Sequence, residues 1–222
     1  MRIWALDDIT RIDEVRTYED IEVVERDCDT GSWKITLPYV GDGGLVSRWL
    51  NAPLPGIEVA DPNTDFRFGG FMTRYRVDYD GKRRIATLEG RDFQSLVWDR
   101  LVWPQYTNLS RFWDHPTETL PLTTAVFYLA DRNFHFSAEA RRRIAHLEFG
   151  PDPGVGGLIT FTSEGQVVGD LFKEWLTGTG YTFRLRFKRE MTGLWENSGL
   201  VFECGARPAT ELVLNNSNLS TW

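Results

Sequence analysis

Residues 83–102 read RRIATLEGRDFQSLVWDRLV, and the fold turns on where the pattern inside them changes. Up to Leu88 apolar and polar residues alternate, the period-two signature of a half-buried strand. From Phe93 onward the apolar positions Phe93, Leu96, Val97 and Leu101 fall close to helical spacing. The cluster Glu89, Arg91 and Asp92 sits at the changeover, where a catalytic constellation competes with a strand-to-helix corner. The corner is favoured: Asp92 stands where an N-cap belongs, its carboxylate placed to accept first-turn amides and its charge suited to the helix dipole. Gly90 gives the chain room to bend. Glu89 and Arg91 then flank the corner, or pair across a subunit boundary, and carry no chemistry.

Upstream, the first hundred residues carry strand signals separated by turn residues, among them RIWAL, DIEVVERD, WKITLP, IEVAD and FRFGGFMTRYRVDYD. Asp80-Gly81 between two alternating runs predicts a β-hairpin with a type I′ tip. In GSWKITLP, residues 31–38, the turn at Gly31 precedes a strand that points Trp33, Ile35 and Leu37 to one face, with Trp33 directed into a core. Gly69-Gly70 interrupt the strand FRFGGFMTR, where a glycine pair predicts a bulge or sharp bend. GGLVSRWLNAPLPG, residues 43–56, is a short apolar run between glycines and prolines, read either as one helical turn or as a lid.

Downstream the character changes. A helix is predicted from Thr123 or Thr124 through AVFYLADRNF, and a second across SAEARRRIAHLEF, capped by Ser137. Val167, Val168, Leu171, Phe172 and Leu176 mark a third that ends in glycines, followed by the alternating strand YTFRLRFKRE and the strand GLVFECG. The expected organisation is a β domain over residues 1–105, a mixed α+β module over 106–205, and the start of a returning strand or second barrel over 206–222.

Composition narrows the function. With 32 acidic residues against 25 Lys and Arg, the formal charge of −7 argues against a surface built to grip a phosphate backbone. The apolar runs break well short of the roughly 18 residues of a spanning helix, so no membrane anchor is expected. Cys28 and Cys204 match no metal spacing and read as reduced, structural thiols. The three histidines, His115, His135 and His146, form no zinc-protease pattern, and GPDPGVGG lacks the strand and helix that a dinucleotide loop needs. No catalytic, cofactor-binding or metal residue is expected. Nine tryptophans fill cores, anchor interfaces or bind sugars. Trp33 is assigned to the core, and Trp49, Trp98, Trp103 and Trp113 are the candidate interface residues. A glycan-binding or glycan-cleaving protein, using those aromatics beside acids such as Asp99, Asp114 and Glu118, is the alternative.

The order of YEDIEVVE, GSWKITLP, IEVAD, FGGFMTRYRV, ATLEGRDFQSLVWDRLVWP and the later helical segments resembles the hub-type minor tail proteins of siphophages that infect actinobacteria, distant relatives of contractile-phage baseplate hub proteins. The motifs that carry the resemblance are structural: Gly31, Trp33 and Pro38 in a turn and strand, Gly69 and Gly70 in a bulged strand, and Gly90, Arg91 and Asp92 at the corner. The resemblance implies a mainly β fold, an N-terminal β-barrel of the tail-hub type with an inserted α+β module. It implies no enzyme and no cofactor, but a structural protein of the virion at the distal end of the tail. Its partners would be copies of itself in a ring of three, together with distal tail and tip proteins, with DNA passing through unbound.

Overall fold

The computed structural model describes residues 1–39, 41, 44–64, 66–79, 81–102, 119–161, 165–192, 195–207 and 213–215, and for 189–192, 195–198 and 213–215 the backbone alone. The chain opens with β1 (Arg2–Asp7), β2 (Thr10–Glu14), β3 (Asp20–Val24) and β4 (Ser32–Pro38), then α1 (Leu45–Leu50). After it come β5 (Pro55–Ala60), β6 (Arg67–Tyr79), β7 (Arg84–Asp92) and the single helical turn α2 (Ser95–Trp98). The remaining elements are β8 (Leu120–Pro121), α3 (Leu122–Phe134), β9 (Leu147–Phe149), β10 (Leu158–Ile159), α4 (Val168–Leu176), β11 (Tyr181–Thr192), β12 (Trp195–Ala206) and β13 (Val213–Asn215). The fold is mainly β with an α+β arrangement, as expected.

The principal sheet has eight strands in the order β13-β3-β4-β7-β6-β5-β1-β2, every neighbouring pair antiparallel. Period-two alternation sends one face of each long strand inward: Trp33, Ile35 and Leu37 of β4, Ala86 and Leu88 of β7, Ile21 and Val23 of β3. These meet Ile3, Ala5, Ile57, Val59 and Phe68 in one core that runs across β3, β4, β7, β6, β5 and β1. Each Val, Ile, Leu or Phe side chain among them contributes about 1.5–3 kcal/mol by leaving water. The run at 43–56 supplies α1, which lays Val46 and Trp49 on this core.

Trp49 is therefore no interface residue. It is fully buried, stacks on Trp33 with ring centroids 6.3 Å apart and planes 2° from parallel, and donates Nε1–H to Gly56 O at 2.7 Å. Two further expectations shift. The β6–β7 hairpin forms, but its last pair is Tyr79 with Arg84, so four residues connect the strands where a two-residue tip was expected; Gly81 has φ +88°. The bulge in β6 falls between Met72 and Arg74, while Gly69 and Gly70 pair regularly with Glu58 and Ile57.

The second layer packs α3 and α4 against the sheet β11-β12-β9, in which β11–β12 is antiparallel and β12–β9 parallel; β8 and β10 form a separate antiparallel pair. Its core is rich in phenylalanine. Phe127, Phe134, Phe172 and Phe183 all stand against Phe202 with centroids 5.5, 5.5, 6.0 and 6.1 Å away, at angles from near-stacked to edge-on. Phe93, Val97 and Val102 join this second core rather than the first. The helix expected across residues 137–149 is replaced by a 3₁₀ turn at Ala140–Arg142 followed by β9. Only Ala138 and Ile144 are buried there, too little for an apolar stripe. Arg142 is instead committed to acceptors outside the turn, donating from Nη2 to Leu101 O and, at 3.1 Å, to Asn133 Oδ1.

No helix among the described residues is long and apolar enough to cross a membrane.

Candidate functional site

The motif residues converge where the principal sheet meets the second layer. In the ladder Trp33 of β4 faces Gly90 of β7, which in turn faces Met72 of β6. Gly90 is required by proximity: a Cβ there would lie 2.0 Å from Phe71 O and 2.4 Å from Trp33 Nε1. Gly69 leaves a similar space, which the Phe93 ring and the Phe187 Cβ occupy, so two residues of the second core rest on bare backbone.

Asp92 is the last residue of β7, paired with Gly70, and does not cap the helix. Its Oδ2 accepts the Gly31 N–H at 2.9 Å, and the α2 turn begins at Ser95 with no side-chain cap. Ladder pairing outcompetes capping here, because strand geometry extends through Asp92 and Phe93 N–H still donates to Gly69 O. Burial pushes the Asp92 carboxyl up to about 7; the amides of Gly31 and Ser95 pull it down, and the charges of Glu25 and Asp29 raise it further. Burial likewise raises Glu25, while Arg184 and Arg186 oppose the shift. These groups, with Arg67 and Gln94, line a cavity of about 30 Å³. That is room for roughly one water molecule.

Around this point the β3–β4 turn is clamped to the second layer by four side chains. Gln94 Nε2 donates to Asp29 O at 2.6 Å, while Gln94 Oε1 accepts from Leu185 N at 3.4 Å. Cys28 Sγ donates to Thr182 Oγ1 at 3.3 Å, Lys173 Nζ binds Asp29 Oδ2 at 2.8 Å, and Arg207 pairs with Asp27. The Lys173 ammonium holds the Asp29 carboxyl below the usual range. Both cysteines are free and buried, and burial pushes the Cys204 thiol up to about 12, which keeps it protonated and unreactive.

Gly31, Trp33, Gly69, Gly70, Gly90, Arg91 and Asp92 thus form one joint, while Pro38 lies at the far end of β4 opposite Ile85. Arg91 is exposed. Glu89 is bound within the chain by Arg74 at 2.6 Å, so the acid–base–acid trio does not converge on a shared substrate position. Trp98 is half-buried: its ring covers Gly169, where a Cβ would sit 2.3 Å from it, and Nε1–H donates to Asp170 Oδ1 at 3.0 Å. Trp103 and Trp113, like His115, Asp114 and Glu118, lie outside the described residues. His135 stacks on Phe149 at 3.9 Å and bonds Asp131 at 2.9 Å. No group of three or more His, Cys, Asp or Glu is placed to hold a metal ion among the described residues.

The clamp residues Gln94, Asp29 and Lys173 were not singled out by sequence reasoning. Nothing in their local sequence marks them.

The fold is similar to that of solved phage tail proteins. Prophage tail protein gp18 from Listeria monocytogenes EGD-e superimposes with a TM-score of 0.50 at 10% identity, over 91% of this chain and 50% of that one. The 43 kDa tail protein of prophage MuSo2 from Shewanella oneidensis gives 0.50 at 12% identity, over 91% and 52%. A tail protein from Neisseria meningitidis MC58 gives 0.48 at 13% identity, over 90% and 49%. The chain spans about half the length of these solved proteins. Residues 1–207 match the family of Siphovirus ReqiPepy6 Gp37-like proteins, and the chain belongs to that family. No curated protein matches it.

Proposed function

We propose that the chain is a structural component of the phage tail tip, forming the baseplate-hub ring that joins the tail tube to the distal tip and gates passage of the genome. The observation that carries this reading is the family match across residues 1–207. The joint supports it, since Gly31, Trp33, Gly90 and Asp92 are spent on packing and hydrogen bonds inside the principal sheet, and Gly69 on seating Phe93 and Phe187 of the second core. The reading is non-enzymatic. Asp92 is poised near neutrality, but it faces a space with room for roughly one water and not for a substrate.

In this reading the subunits form a ring of three at the distal end of the tail and contact distal tail and tip proteins. The acidic balance keeps passing DNA mobile by repulsion. Electron microscopy of assembled tails carrying a labelled chain tests it. Label at the distal end, with three copies per tail, is the expected result; label elsewhere on the virion, or its absence from tails, overturns the proposal. The glycan reading is tested separately by pull-down on cell-wall polysaccharide.

A further inference from the structure

Strand β6 outruns one of its neighbours. β5 accompanies it from Arg67 to Phe71, whereas β7 stays with it as far as Tyr79. From Thr73 to Tyr79, one side of β6 has no strand beside it among the described residues. At a rise of about 3.4 Å per residue this is an open edge about 24 Å long.

The two faces of this overhang differ. On one, Arg74 stands opposite Glu89 and binds it, and Arg76 binds Asp78 at 2.5 Å. On the other, Tyr75 and Val77 stand opposite Leu88 and Ala86, both fully buried, so the apolar row of the core continues outward. There it emerges uncovered: Tyr75, Val77 and Tyr79 are 57%, 38% and 69% exposed. An exposed edge with an apolar face is a template for another strand.

The side chains specify which strand. Antiparallel pairing of β6 with a second β6, centred on Val77, sets Val77 against Val77, Tyr75 against Tyr79 and Arg76 against Asp78, each pair repeated by the two-fold axis. Directly opposed residues share a face, so one face becomes aromatic and β-branched throughout and the other consists of opposite charges. Slipping the register by one residue sets Asp78 against Tyr75 or Val77. Centring on Arg76 or Asp78 instead puts like charges against each other, and so does parallel in-register pairing.

We propose that the free edge of β6 is a self-pairing surface that joins two copies of this chain across a two-fold axis at Val77. This goes beyond the hub reading and does not depend on it, because a two-fold contact closes on two copies while a ring is built through unlike surfaces.

The test is absolute mass by light scattering on the full chain over a concentration series, with Arg76→Asp, Asp78→Arg and the double variant. Both substituted positions are on the solvated face of the overhang. The wild-type chain is expected to move from one copy to two. Each single variant places like charges across the axis at two points and raises the dissociation constant roughly tenfold or more. The double variant restores wild-type association, and so does mixing the two single variants, since each supplies the charges that the other lacks. A monomer at every concentration overturns the proposal, as does a dimer indifferent to the charge swaps. A trimer or hexamer indifferent to them also overturns it, while favouring a ring through other surfaces.

Discussion

Gly31 and Asp92 are bonded in both directions: Gly31 N–H donates to Asp92 Oδ2 at 2.9 Å, and Asp92 N–H donates to Gly31 O at 3.2 Å. Sixty-one positions apart in sequence, they fasten the start of β4 to the end of β7. The second carboxylate oxygen, Oδ1, is buried without a hydrogen-bond partner among the described residues. One carboxylate thus serves as a fastener through one oxygen and resists ionisation through the burial of both.

This makes stability depend on pH. The folded value of about 7 lies above the ordinary 3.8, so the contribution of Asp92 is complete below about pH 4 and is lost as pH rises through about 7. The full difference is about 4 kcal/mol. Glu25, also raised, adds a slope of the same sign. Asp92→Asn keeps an acceptor for Gly31 and removes the ionisation, so its urea midpoint is expected to vary much less between pH 5 and 8 than that of the wild type. Parallel profiles for the two proteins would refute the assignment.

Gly90→Ala is expected to destabilise the chain by about 3 kcal/mol or more, because both nearest obstacles, the Phe71 carbonyl and the Trp33 ring, are held inside the ladder and core. Thermal unfolding measures it. Gly157→Ala is the control, since a Cβ there meets open space.

The stacked tryptophans differ in a way that mutation exposes. Trp49 satisfies its indole N–H on Gly56 O, whereas the Trp33 Nε1 is buried with no partner among the described residues. Phenylalanine at either site removes similar volume, but Trp49→Phe also removes a buried hydrogen bond to Gly56 O. We expect Trp49→Phe to cost about 1–2 kcal/mol more than Trp33→Phe in denaturant titration. Equal losses would show that the hydrogen bond contributes nothing net.

Glu58 is fully buried on β5 and receives two hydrogen bonds of 2.9 Å from Arg11 and another from Arg67. Arg11 also lies over the Trp4 ring at 3.6 Å. Glu58→Ala strands two partly buried guanidinium groups and is expected to cost about 3–5 kcal/mol. For a chain of this size that lowers Tm by about 6–20 °C. A change below about 2 °C would mean that water replaces the carboxylate at little cost.

The longer strands and the helices α3 and α4 were legible because their periodicity coincides with burial: Phe183, Leu185 and Phe187 alternate and are all buried, and Val168, Leu171, Phe172 and Leu176 share one buried face, whereas β2, β8 and β10 are too short or too polar to show a pattern and β9 was read as helix. The stretch at 83–102 was legible only in part. Its strand half behaves as the alternation predicts, but the helical spacing of Phe93, Leu96, Val97 and Leu101 yields one turn, because Leu101 bridges to Val167 and Val102 N–H donates to Gln166 O. Spacing records which residues are apolar and not which neighbour covers them. The clamp at Gln94, Asp29 and Lys173 was invisible for a related reason, since its partners lie 65 and 144 positions apart and no local pattern links them.

The placement of β13 has a consequence for how such chains diversify. The excursion that leaves the principal sheet at Asp92 is back on it at Val213, with β4 and β3 as the only strands between β7 and β13. At about 4.8 Å per strand, departure and return are separated by roughly 14 Å across the ladder. The eight-stranded scaffold therefore offers a docking port: whatever is spliced between these two points must meet one short end-to-end distance and present a patch that fits the bare backbone at Gly69.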